Sequence, residues 1–231
     1  MINVQKYTLP ALILCCTLSF SANAQLSSLS QGDMGSALKL ALSNGVQKGC
    51  TQLSQMDGFF KNAAIKILMP PEATNVESKL RQMGFGPQVD QLILSMNRAA
   101  EQASASAANI FLQAITQMTI SDAQGLLTGG DTAATHYLRT KTTVSLTMAF
   151  KPTIDTALTK THATTYWKDV FGTYNKIPFA KKVNPDLVSY VTGKALDGIF
   201  YEIAQEEKAI RANPAGQASA LLSKVFGSIG H

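Results

Sequence analysis

Cysteine is nearly absent from this chain, and two of its three copies, Cys15 and Cys16, stand in the first apolar run. If that run is removed on export, Cys50 has no partner, so an internal disulfide and a structural zinc site of several thiolates are both excluded. Cohesion must then come from packing. Histidine is as scarce: His136, His162 and His231 show no Glu-x-x-His spacing, so a carboxylate-bridged di-metal bundle is not indicated. No acidic loop of the calcium type occurs, and no Gly-x-Ser-x-Gly nucleophile turn. Period-two alternation is missing throughout, which argues against a sheet.

The first 24 residues, MINVQKYTLPALILCCTLSFSANA, hold one charge at Lys6, an apolar run from Leu9 to Phe20 and the small-residue pattern Ala22-Asn23-Ala24. This is the pattern of a secretory signal peptide cut before Gln25. A lipid anchor fits less well, because Leu14 precedes Cys15 where a small residue is wanted. The expectation is therefore an exported, periplasmic protein, with secretion or lipid anchoring as alternatives. After residue 24 no apolar run reaches transmembrane length. The formal net charge of +5, one unit of which leaves with Lys6, is a mild surplus without blocks of like charge. Nucleic acid is not an expected partner.

The rest of the chain reads as helix after helix. Residues 25–32 form a polar leader, expected to be flexible, and residues 33–231 a single all-α domain, a bundle of about eight helices. The first helix starts at Asp33. Asp57-Gly58 and Pro70-Pro71 bracket a short apolar segment that is either extended or one helical turn. Gly84 and Gly86 end a short helix, and Pro87 opens one that should run to about Met118. Ser121 is the expected N-cap of the next, Asp131 that of a helix reaching Phe150 and bent or broken near Pro152. An aromatic-rich helix follows, then a long one from Pro185 to about Ala212 and a short last one over 214–227.

At about 100° per residue, the helix from Pro87 carries a main apolar stripe through Val89, Ile93, Met96 and Ala100. A second stripe beside it runs through Leu94, Ala105 and Ala108. Glu101 falls in the second stripe and Asn97 on the seam, whereas Arg98 falls in the polar arc. In the last long helix Glu206 sits within the stripe of Val188, Thr192, Ala195, Ile199 and Ile203, with Glu202 at its edge. Glu207 and Arg211 fall outside it and read as a surface pair. A buried carboxylate needs a donor, and Arg139, on a semi-apolar stripe of its own helix, is the expected bridge. The candidate polar cluster is thus Asn97, Glu101, Arg139, Glu202 and Glu206. It is either an ion-pair lock on helix register or a site, and a hard cation on Glu101, Glu202 and Glu206 is one form of the latter.

Two further features carry weaker signals. TGGDTAATHYLR has glycines before a helix but lacks the Gly-Lys-Ser/Thr ending of a phosphate loop, so it reads as a helix stop and start. Tyr166, Trp167, Phe171 and Tyr174, at helical spacing, are core residues or the lining of an aromatic groove. Cys50 reads as a small core residue.

DGFFKNAAIKI, MNRAAE, SDAQGLLTGGDTAATHYLR, YVTGKALDGIFYEIAQEEKAIR and LLSKVFG occur here in order. Together they resemble a family of exported, all-helical bacterial proteins catalogued only as a domain of unknown function, over about residues 34–227. The resemblance implies a helical, periplasmic or secreted protein. It implies no activity, cofactor, metal or catalytic residue. The family's charged motif positions fall on Asn97, Arg98, Glu101, Asp122, Arg139, Glu206 and Arg211. The functional expectation is a non-enzymatic periplasmic protein that binds an envelope protein or a lipid-like ligand between its helices. An enzyme built on the carboxylate and arginine cluster is the alternative, and a structural envelope protein the second.

Overall fold

The structure is a computed structural model that describes residues 31–212 except 177, 180, 181 and 185. The signal segment and the last short helix expected from the sequence lie outside these residues. All regular structure among the described residues is helical, as the patterning requires. The elements are α1 (Gln31–Ser54), α2 (Thr74–Leu80), α3 (Gly86–Ser104), α4 (Ala107–Thr116), α5 (Ile120–Leu127), α6 (Ala133–Lys160), α7 (Ala163–Tyr174) and α8 (Leu187–Ala212). A 3₁₀ turn at Pro71–Ala73 precedes α2, and a π turn at Arg81–Phe85 joins α2 to α3. Residues 31 and 32, expected in the leader, already belong to α1.

Helix α6 is the axis of the molecule. It packs between α3 and α8, while α1 closes the bundle against α3, α4, α5 and α8. Its buried residues Leu138, Thr142, Leu146, Phe150, Ile154 and Leu158 recur every four positions. A four-residue step overshoots one helical turn by about 40°, so the buried line winds around the helix and meets several neighbours in succession. Phe111 of α4 meets Phe200 of α8 edge to face, with ring centroids 5.7 Å apart.

Three boundaries differ from expectation, each for a local reason. Helix α6 continues through Pro152 to Lys160. The proline lies on the exposed side, where water can take the carbonyl it frees, while Phe150, Ile154 and Leu158 hold the opposite face. The helix expected from Pro87 to Met118 is broken at 105–106. There the hydroxyls of Ser104 and Ser106 donate to the carbonyls of Ala100 and Ala103 at 2.8 and 2.9 Å and compete with the helical ladder. The N-cap of α5 is Thr119 rather than Ser121, in a reciprocal capping box with Asp122.

Residues 55–70 form no helix and cross the bundle as a strap. Asp57 adopts a left-handed backbone, φ 70°. Gly58 beside it has no room for a side chain, since a Cβ there would lie 2.6 Å from the carbonyl oxygens of Gln52 and Leu53.

Candidate functional site

The MNRAAE segment of α3 faces this strap. Asn97 is fully buried; its Oδ1 accepts the Ile67 N–H at 2.8 Å, and its Nδ2 donates to the carbonyls of Ile67 and Ile93 at 2.8 and 2.7 Å. One turn on, the Oε1 of Glu101 accepts the N–H groups of Phe59 and Phe60, both at 3.1 Å. The guanidinium of Arg98 donates to Glu101 Oε2 at 2.6 Å and to Asp57 Oδ1 at 2.7 Å. Lys61 closes the chain on Asp57 Oδ2 at 2.8 Å. Lys61 first and Arg98 second hold the Asp57 carboxyl below the usual carboxylate range, and Glu101 above all raises the Arg98 guanidinium. Beneath the strap, Phe59 packs where α8 has Gly198; a Cβ there would come within 2.5 Å of the ring.

The other candidate residues lie in separate contacts. Glu202 accepts from Asn62 Nδ2 at 2.6 Å, so it too holds the strap. Glu206 is paired with Lys48 of α1 at 2.7 Å. Arg139 is not the bridge to Glu101: its guanidinium lies over the Phe200 ring, 4.4 Å from the centroid, and reaches Asp197 at 3.4 Å near the surface. Arg98 supplies the donor instead, because the polar arc that carries it abuts the strap rather than solvent. Among the described residues no group of three His, Cys, Asp or Glu side chains is placed to hold a metal ion. That counts against the cation site drawn on Glu101, Glu202 and Glu206.

Glu207, expected at the surface, is one of the most buried charges. Its carboxylate accepts the N–H groups of Ala134 and Thr135 at 3.0 and 2.8 Å and the Thr135 hydroxyl at 2.8 Å. It therefore caps α6 from α8, in place of the expected Asp131, where the helix N-terminus favours a negative charge. Arg211 holds the same carboxylate at 2.9 Å and donates to the Leu126 carbonyl at 2.8 Å, closing the C-terminal end of α5. A signal existed: Leu196, Phe200, Ile203, Glu207 and Ile210 form a second helical stripe on α8, and all five are buried.

The concavity lies elsewhere. A groove of about 550 Å³ opens between α3 and α7, lined also by Phe85 of the π turn and by Met69 at the end of the strap. Its walls are Val89 and Leu92 of α3, Trp167, Val170 and Phe171 of α7, and Leu80 and Phe85. Gln88, Gln91, Ser95, Thr161 and the Tyr166 phenol supply polar atoms, and no lining residue is charged. The aromatic series of α7 is thus divided. Trp167 and Phe171 are buried in the core and also line the groove, Tyr166 stands exposed at its rim, and Tyr174 packs edge-on against Phe171.

Trp167 is held by three contacts. Its Nε1 donates to the Asn184 carbonyl at 3.0 Å, and its ring stacks on Tyr190 at 5.8 Å and tilts against Phe171 at 4.4 Å. The Tyr190 hydroxyl donates to the Leu68 carbonyl at 2.8 Å. Burial pushes that phenol up to about 12. The groove wall and the strap therefore share one chain of contacts, from Trp167 through Tyr190 to Leu68 and Met69. Cys50 lies in the core of α1, its thiol pushed up to about 12 by burial, with the environment of a packing residue rather than a nucleophile.

Neither the curated proteins nor the solved structures gave a match. A family model does match, over residues 28–227, and covers the strap, the lock of Asn97 and Glu101, the buried Glu207 and the groove. The chain belongs to that family, DUF4197, whose description is a protein of unknown function.

Proposed function

We propose that this is an exported, periplasmic, non-enzymatic protein that binds an apolar ligand in the groove between α3 and α7. One observation carries the reading: a preformed cavity of about 550 Å³ whose walls are almost wholly apolar and include Trp167 and Phe171. Such volumes and linings are those of small-molecule sites. Each methylene moved from water into such a groove contributes about 0.8 kcal/mol, so a chain of modest length would bind without any charge contact.

The carboxylates favour this reading over an enzyme. Glu101, Glu206 and Glu207 are each engaged by backbone N–H groups or a cation within the fold, and none of them lines the groove. No helix among the described residues is long and apolar enough to cross a membrane, which suits a mature chain working outside the bilayer.

Trp167 is the single tryptophan of the chain, and this makes the test direct. A brominated alkyl chain seated in the groove should quench its emission saturably. Leu92→Glu, which places a charge on the half-buried wall, should abolish the quenching while the thermal transition stays in place. Unquenched emission in the unmodified protein would refute the reading.

A further inference from the structure

We infer that the groove takes one uncharged, single-chain lipid, its tail against Leu80, Phe85, Leu92 and Val170 above the buried Trp167, and a hydroxyl or carbonyl oxygen at the amides of Gln88 and Gln91. This rests on the groove being a ligand site at all, and it adds the class of ligand.

Charge is the first argument. No residue lining the groove bears a charge, so a phosphate or carboxylate drawn inside would lose its water without gaining a counter-ion. Arg81, the first residue of the π turn, follows the lining residue Leu80. Its guanidinium is held by Glu77 at 2.9 Å and by Asp90 at 2.8 Å. With two carboxylates on one guanidinium, Arg81 itself offers no net positive charge to an anionic headgroup.

Size is the second. A methylene occupies about the space of a water molecule, roughly 30 Å³. A groove of about 550 Å³, open to solvent along its mouth, therefore has room for about one alkyl chain, and two long chains exceed it.

The polar groups supply the third. Gln88 and Gln91 are three residues apart on α3, on the same side of the helix, and both are exposed along the edge of the groove. An amide offers a donor and an acceptor together, which suits a neutral hydroxyl or carbonyl better than an ion. Ser95, deeper in, donates its hydroxyl hydrogen to the Gln91 carbonyl at 2.8 Å and can only accept from a ligand.

The experiment is a titration of the full mature chain with 1-monooleoylglycerol, followed by Trp167 emission. It is repeated with oleoyl lysophosphatidylglycerol, which keeps the chain and adds a charge, and with dioleoylglycerol, which stays neutral and adds a chain. Saturable binding of the first, with the other two at least about ten-fold weaker, is the expected result. Removing both amides in Gln88→Leu/Gln91→Leu should erase the preference for monooleoylglycerol over octadecane without lowering the thermal transition. Equal binding of the charged lipid, or of the two-chain lipid, overturns the proposed class but leaves an apolar ligand site standing. If no lipid and no brominated alkane reaches Trp167, the ligand reading itself falls. Sedimentation then distinguishes the remaining occupant, because a stable dimer would assign the groove to a second copy of the chain.

Discussion

Asn97 and Ile67 exchange two hydrogen bonds, side chain to main chain, both 2.8 Å long. The amide of Asn97 thus imitates a neighbouring strand and satisfies both backbone groups of a residue buried near the end of the strap. No apolar side chain can do this. Asn97→Leu should leave the Ile67 N–H and carbonyl without partners and destabilise the fold by about 3 kcal/mol, read as a lower urea midpoint with the same slope.

Glu101→Gln separates a lock from a site. The glutamine oxygen can still accept from Phe59 and Phe60, but the charge that holds Arg98 is gone. A loss of about 1–3 kcal/mol in stability is expected, with quenching of Trp167 by a brominated alkyl chain unchanged. Lost quenching at an unchanged melting temperature would move the binding site to the strap.

Glu207 should matter more than Glu206, against the order suggested by the first wheel. Glu207→Ala uncaps α6 and leaves the partly buried Arg211 without its counter-ion, at a cost of about 3–5 kcal/mol. Glu206→Ala breaks a pair whose lysine is largely in water and should cost about 1 kcal/mol or less. Arg211→Met combined with Glu207→Ala should cost less than the two losses added, because each single change leaves an orphaned partner. Urea denaturation of the four variants measures all of these.

Acid should weaken the fold through its depressed aspartates. Asp57, Asp122 and Asp186 all have lowered carboxyl values, the first through Lys61 and Arg98, the second mainly through the Thr119 backbone N–H, the third mainly through the Ser189 hydroxyl. A group depressed in the folded state contributes stability that is present above its unfolded value, here 3.8, and lost as pH falls through its folded one. Stability should therefore be flat in this respect from neutrality down to about pH 5 and decline below the ordinary aspartate value. Asp57→Asn should be weaker at neutral pH and show a shallower acid decline, as followed by the melting temperature against pH.

Helical periodicity made the fold class legible, because α3, α6 and α8 each bury residues at intervals close to a turn. The burial of Asn97 and Glu101 was legible for the same reason. What covers them was not, since the strap has no period, and the wheel gives faces of a helix without saying what lies against each. Spacing alone therefore points Arg98 toward water although it faces Asp57, and pairs Arg139 with a carboxylate on another part of the bundle. Glu207 escapes such a reading because α8 has two buried stripes, and it lies on the less continuous one. Its contacts with Ala134 and Thr135 span more than seventy positions. The groove left only the aromatic spacing of α7 as a trace, and such spacing serves core and cavity alike.

The central claim, that the groove between α3 and α7 holds an apolar ligand, is tested most directly by native mass spectrometry, with lipid extraction, of mature protein taken from periplasm without refolding. The account predicts an adduct released by organic solvent and absent from Leu92→Glu. A clean mass of the chain alone, with nothing apolar in the extract and no binding when lipid is added back, would contradict it.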